Sequence, residues 1–261
     1  MQARSANDLL GIDVSHHNGA IDWPRVKAAG VKFAYIKSTE GTTYTDPKFR
    51  SNAAGARAAG IKVGFYHYAH AEKNQPYAEA EAFYEATRGV GADLPYCLDL
   101  EGESGALSMV SLTAWAITFM REVKRLTGKG VILYTGAYFA RDELGKAAGE
   151  FPLWIAQYGA TIPLANNTWG KWAAFQYTDK GKVDGIAGYV DMDYMDDAYY
   201  DSITKKPAAP GVDYEQGAIK WHIDGNGNIF KDGRYIAVTA SNSQYIPETV
   251  KNVSRDIKGR L

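Results

Sequence analysis

Between residues 9 and 134 five short apolar runs alternate with four capped amphipathic segments, and this alternation limits the possible folds more than any other feature. Leu9 to Ser15 reads as the first strand, followed by a turn at His16 to Gly19. A helix follows, capped by Asp22, with Pro24 near its start and Gly30 at its end. Val31 to Ser38 is the second strand and leads into a loop at Thr39 to Thr42. A helix starting at Asp46-Pro47 runs to Ala59, and Ile61 to Ala69 is the third strand. Pro76 opens a helix to Ala86, and Leu94 to Leu100 is the fourth strand. Ser111 caps a helix to Leu126, and Gly130 to Tyr134 is the fifth strand. Helix signals then thin out. Arg141 to Ala148 is at most a short helix, and three strands follow at 152–158, 172–177 and 188–194, the last two joined as a hairpin. Five strand–helix units followed by three strands predict an α/β fold: a closed, mostly parallel β/α barrel, irregular in its last third.

The chain has 261 residues, enough for one large domain and one small one. A net charge of −1 argues against nucleic acid as a partner, which calls for a basic face. A single cysteine, Cys97, excludes an intramolecular disulfide and sits in an apolar run as core packing. No Cys/His cluster has zinc spacing, so the expectation is no metal and no cofactor. No run is long enough to span a membrane, and residues 1–8 lack the apolar stretch of a signal peptide. The expectation is synthesis in the cytoplasm, with release by lysis or another export route.

Residues 204–211, Thr-Lys-Lys-Pro-Ala-Ala-Pro-Gly, have the composition of a linker. The expected division is therefore a barrel over 1–203, a linker over 204–211 and a small α+β appendage over 212–261. In the appendage, Asp224-Gly225-Asn226-Gly227-Asn228 reads as a tight β-turn, because the Glu that should end a calcium loop is missing, and a helix is expected after Pro247. Trp221, Tyr235 and Tyr245 with several basic residues suit either wall targeting or a subunit contact, and the oligomeric state stays open.

The chemistry concentrates in Leu98-Asp99-Leu100-Glu101-Gly102. Asp99 and Glu101, two residues apart on a strand, share one face with Cα atoms roughly 6.5–7 Å apart. Carboxylates are expensive to bury unless paired or used, and two on one face push their pKa values apart, the equipment for acid-assisted cleavage of a glycosidic bond. A strand leaving the core with its acids capping a loop is the plain alternative. Barrel active sites form at the C-terminal strand ends, where Asp13, Asp99, Glu101, Asp191 and Asp193 are all expected. The same rim is expected to receive Tyr35, Lys37, Tyr66, His67, Tyr134, Gln157, Tyr158 and Gln176. The 18 Tyr and 6 Trp supply flat faces suited to sugars as well as to cores.

Several of these fragments, in order, resemble the lysozymes of glycoside hydrolase family 25. They are Asp13-Val14-Ser15 with Ile21-Asp22-Trp23, Phe33 to Gly41, Gly64 to Tyr68, Leu98 to Glu101, Leu153 to Tyr158, Phe175 to Tyr177, and Val190 to Asp193. The resemblance implies a flattened barrel of five β/α units and three further strands. It also implies cleavage of the β-1,4 bond between N-acetylmuramic acid and N-acetylglucosamine in peptidoglycan, as in phage endolysins and bacterial autolysins. By position, Glu101 resembles the general acid and Asp99 its partner carboxylate, with Asp13 and Asp193 the two further acids. Asp191 departs in spacing and is left structural. Whether Asp99 attacks carbon or stabilises charge stays open, as does participation by the substrate's acetamido group.

For the supporting residues the readings divide. His16 and His17 suit turn chemistry, and His67 suits a satisfied core imidazole. Tyr66 and Tyr68 share a strand face, with Tyr66 favoured for the site. Lys37 either neutralises the carboxylates or is an ordinary strand-end charge. Trp154 is expected to pack, and Glu103 to be solvated. A metal-dependent polysaccharide deacetylase and a non-catalytic glycan-binding protein are the alternatives. The absent His pair counts against the first, and the intact acid pair against the second.

Overall fold

The computed structural model describes residues 1–204 and, beyond them, residues 212–216, 219–223, 229–231, 234–236 and 251. The chain divides into two compact units, Met1–Thr204 and Lys205–Leu261.

The first unit contains β1 (Leu9–Val14), α1 (Trp23–Ala28), β2 (Phe33–Glu40), β3 (Tyr44–Thr45), α2 (Phe49–Ala58), β4 (Lys62–Tyr68) and α3 (Pro76–Thr87). It continues with β5 (Tyr96–Asp99), α4 (Met109–Thr127), β6 (Val131–Gly136), α5 (Ala137–Asp142), β7 (Leu153–Ala156), β8 (Ala174–Gly181), β9 (Val190–Met195) and α6 (Asp197–Thr204). Strands β2, β4, β5, β6, β7 and β8 pair in parallel in that order, and β1 pairs in parallel with β2. Strand β9 closes the barrel by pairing antiparallel with both β8 and β1. The expected irregular α/β barrel is present.

Local chemistry explains the elements. Asp22 accepts a hydrogen bond from the Arg25 N–H at 3.2 Å, satisfying one free donor at the start of α1. In α4 the cap is Ser108, not Ser111, since Ser108 Oγ accepts from the Ser111 N–H at 3.3 Å. Leu112, Trp115, Ala116, Phe119, Met120 and Val123 fall three and four apart on one face of α4 and are all buried. Each such large side chain contributes about 1.5–3 kcal/mol of burial. Gly128, in the left-handed region at φ 66°, ends the helix.

Two other expectations are corrected. Residues Thr39 and Glu40 are not loop: they extend β2, because Thr45 and Tyr44 fold back to pair with them. The short helix is Ala137–Asp142, earlier in the chain than 141–148, with a 3-10 turn at Lys146–Glu150.

The outer core lies between barrel and helices. A second cluster fills the barrel, with Phe33, Tyr35, Cys97, Ile132, Tyr134 and Trp154 among its members. Gly11 and Gly64 make room for it, since a Cβ at either would overlap the ring of Phe33 or Tyr35. Tyr35 is fully buried and donates its hydroxyl to the Pro95 carbonyl at 3.1 Å, so it belongs to this floor and not to the rim. The interior is thus a plugged floor with an open mouth.

In the second unit, β10 (Val212–Gln216), β11 (Ile219–Ile223), β12 (Ile229–Lys231) and β13 (Arg234–Ile236) form an antiparallel meander. The expected turn at 224–228 and the helix after Pro247 lie outside the described residues, as does the linker over 205–211. Among the described residues no helix is long and apolar enough to cross a membrane.

Candidate active site

Strand β5 ends at Asp99, but the backbone stays extended through Glu101 (φ −158°, ψ −171°), so the two carboxylates keep a common side as expected. Gly102 then turns the chain at φ 59° into a 3-10 turn, Gly102–Ala106. Asp99 and Glu101 line an inner cavity of about 210 Å³ together with Asp13, Lys37, Tyr66, Tyr68, Tyr134, Trp154, Tyr158, Gln176 and Asp191. Beside it lies a more open groove of about 720 Å³ towards α5, where Tyr138, Phe139, Ala156 and Gln157 take part in the lining. Glu101, Tyr134 and Tyr158 border both spaces.

A hydrogen-bond hub organises the floor. Gln176 is 2% exposed; its Nε2 donates to Asp13 Oδ2 at 2.6 Å, while its Oε1 accepts from Tyr134 at 2.8 Å and from Tyr158 at 3.0 Å. One amide on β8 therefore fixes a carboxylate and two phenols from three other strands or strand ends. Trp154, buried between the rings of Tyr35 and Tyr134, donates its indole N–H to Asp193 Oδ1 at 2.9 Å. Its expected packing role holds, and it carries a polar contact too.

The electrostatics are those of acids taken out of water. Burial raises Asp99 well above the usual carboxylate range, and the neighbouring Glu101 charge adds to this while Lys37 opposes it. Glu101 is raised as well, by burial first, with Lys37 lowering it and Asp191 raising it. Burial also raises Asp13 well above its ordinary value, reinforced by Asp191. Asp191 itself is pushed up to about 6 by burial and by the charge of Asp179. Such a pair as Asp99 and Glu101 retains a proton at pH values where an isolated carboxyl is ionised, so it holds both an acid and a base. Lys37 is the cation facing them and is itself held by Glu40 at 2.6 Å.

The expected site residues Asp13, Asp99, Glu101, Lys37, Tyr66, Tyr134, Tyr158 and Gln176 thus converge. Gln157 lines only the outer groove, its Oε1 accepting the Leu164 N–H at 2.7 Å. Asp193 is fully buried beneath the cavity and is not among its lining residues. Contrary to expectation, the last strand's acids do not reach the mouth from its C-terminal end: β9 runs antiparallel, so residues near its start reach it instead. Asp191, expected at the rim as a structural residue, is paired with Asp13 in register and lines the cavity. Tyr68 was also passed over, although its place two residues beyond Tyr66 put it on the same face. His67 is a buried core imidazole between Thr39 Oγ1 and Glu79 Oε2, each at 2.8 Å. His16 holds Asp46 at 2.7 Å in the first turn, and Glu103 is an exposed partner of Lys73.

Proteins of known structure share this architecture. A bacterial lysozyme from Streptomyces coelicolor superposes with a TM-score of 0.67 at 30% identity, over 77% of this chain and 99% of that one. In sequence, the autolytic lysozyme of Clostridium acetobutylicum is 38% identical over 187 residues, which is 71% of this chain and 55% of that protein. Lysozyme M1 of Streptomyces globisporus is 38% identical over 194 residues, 70% of this chain and 66% of that protein. The chain thus spans between about half and two thirds of the length of these relatives. The profile of glycosyl hydrolases family 25 matches residues 12–186, a span that takes in the barrel from Ile12 to Ile186 with its Asp99–Glu101 pair, and the chain belongs to that family.

Proposed function

We propose that the chain is a muramidase that hydrolyses the β-1,4 bond between N-acetylmuramic acid and N-acetylglucosamine in bacterial peptidoglycan. The observation that carries this is the position of Glu101 at the junction of two adjoining spaces. A glycosidic oxygen joins two sugars, so it sits where one ring's site meets the next. Among the described residues Glu101 is the one acid that borders both spaces, as a proton donor to that oxygen must. Asp99 lines the inner space alone and faces a sugar held there, as nucleophile or as stabiliser of the developing oxocarbenium charge. Asp13, fixed by Gln176, and Asp193 behind it complete the acid set, and Asp191 joins them at the rim. Tyr66, Tyr134 and Tyr158 supply sugar-facing rings, with Lys37, Gln157 and Gln176 as polar contacts.

Glycan strands of the wall are the partner, and the wall is the place of action, reached after synthesis inside the cell. Residues 212–261 form a small domain after a linker over 205–211, since Thr204 is the last residue of α6, and serve wall binding or self-association. Product analysis on purified peptidoglycan tests the activity: new reducing ends should appear at muramic acid. Released acetate or new amines without reducing ends would overturn it in favour of deacetylation.

A further inference from the structure

A second charge system lies beside the acid cleft. Glu40, the last residue of β2, binds Lys37 Nζ through Oε2 at 2.6 Å and meets His70 Nε2 through Oε1 at 3.0 Å. The other ring nitrogen of His70, Nδ1, is 3.1 Å from Glu72 Oε1. Glu72 Oε2 in turn accepts from Ser104 Oγ at 3.2 Å. Ser104 is buried in the turn that begins immediately after Glu101. An unbroken chain of contacts therefore joins Lys37, the cation facing the acid pair, to the turn that carries Glu101.

The middle link is chemically demanding. An ionised carboxylate only accepts, and a neutral imidazole has a single N–H. Both carboxylates are therefore satisfied together only when His70 is an imidazolium. We propose that His70, as an imidazolium bonded to Glu40 and Glu72 at once, is a positioning residue that holds Lys37 and the Glu101 turn in their working places. It lines neither cavity and acts through those two groups. The assignment of work rests on the muramidase reading; the clamp itself does not.

The surroundings favour the charged ring. Facing it are Glu40 and Lys37 from β2, the Tyr68 ring 5.4 Å away on β4, and Glu72 and Lys73 from its own loop. Glu79 of α3, which also binds His67, accepts the His70 backbone N–H, and Glu103 pairs with Lys73 at 3.1 Å. Four carboxylates thus oppose two lysines around one imidazole. Burial favours the neutral ring, but the bonds to Glu40 and Glu72 outweigh it and raise His70 above its ordinary value. Glu40 is lowered against its burial by Lys37 first and then by His70, and Glu72 by a backbone hydrogen bond first and then by His70.

The test is an NMR pH titration of the His70 ring in the full chain, alongside kcat and KM on solubilised peptidoglycan. The ring should titrate above about 6.5, and the amides of residues 101–104 should shift with it. The kcat should fall on the alkaline side at the same midpoint while KM changes little. His70→Gln, which hydrogen-bonds but does not titrate, should remove the amide titration and the step of the alkaline limb at the His70 midpoint, leaving the fall that follows loss of the acid pair's proton, and lower kcat by up to about 100-fold. Glu40→Gln should lower the His70 midpoint. If His70→Gln does not fold, Glu72→Gln is read in the same way. A ring that titrates at or below its ordinary value overturns the clamp, as do amides that ignore it. An unchanged kcat profile in the variant overturns the positioning role. Absence of hydrolysis by the unaltered protein at every pH would remove the muramidase reading, with the ring and amide titrations still judging the clamp.

Discussion

Asp193→Asn is expected to stabilise the barrel at neutral pH and to change little near pH 4. Asp193 is fully buried; Oδ1 accepts from Trp154, and Oδ2 has no hydrogen-bond partner among the described residues. Burial raises it well above the ordinary carboxylate range, and the charge of Asp13 raises it further. With the folded value above the unfolded one, the proton's contribution is fully present below about pH 3.9 and is lost as pH rises towards the folded value. Each pH unit in that window costs about 1.4 kcal/mol, since the unfolded chain releases the proton and the folded one keeps it. A proton kept through neutrality costs about 4 kcal/mol between pH 3.9 and 7, which is the ceiling on the gain. Asparagine keeps an oxygen for the Trp154 indole and has no proton to lose. Urea unfolding followed by tryptophan fluorescence should show little difference at about pH 4 and a growing advantage for the variant towards pH 7. In thermal unfolding the advantage is about 2–4 °C per kcal/mol for a domain of this size. A difference independent of pH, or a variant less stable at pH 7, would refute the reasoning. Hydrolysis should fall in the same variant, the usual trade between a site and its stability.

Glu101→Gln should lower hydrolysis by at least about 100-fold with the fold intact, checked by reducing-end release and circular dichroism. Since burial raises both Asp99 and Glu101, activity should fall as pH rises through the pair's raised range and the acid is lost; a rate that keeps climbing with pH would contradict this. Dialysis against EDTA should leave the initial rate unchanged, and loss restored by zinc would point to a different chemistry. A chain ending at Thr204 should fold and cleave soluble glycan fragments, because the first compact unit ends there; an insoluble product would show the remainder to be needed for folding.

The barrel was legible because its signals are local: caps such as Asp22, glycine stops and alternating strand runs each act within a few residues. The Asp99–Glu101 pair was legible for the same reason, since two residues on one extended segment share a side whatever else the chain does. Asp191 was legible only in part: the hairpin at 172–194 already makes the last strand antiparallel and so brings its start to the mouth, but which of its two acids lines the cavity depends on the register against β1. The hub role of Gln176 depends on partners in β1, β6 and the end of β7, so only assembly reveals it. Likewise Glu40 reads as a loop acid until Tyr44 and Thr45 fold back on β2 and extend that strand over it.

Closure by the first and last strands has a consequence during synthesis. The Gln176–Asp13 bond joins residues 163 apart, and the barrel has no ring until β9 seals against β1. A ribosome-bound chain with β9 still inside the exit tunnel therefore carries the Asp99–Glu101 pair, and Asp13 on β1 beside β2, without the Asp191 side of the cavity. Contacts of such sequence separation also form late and slowly. On the muramidase reading, hydrolytic competence thus waits for β9 to seal against β1.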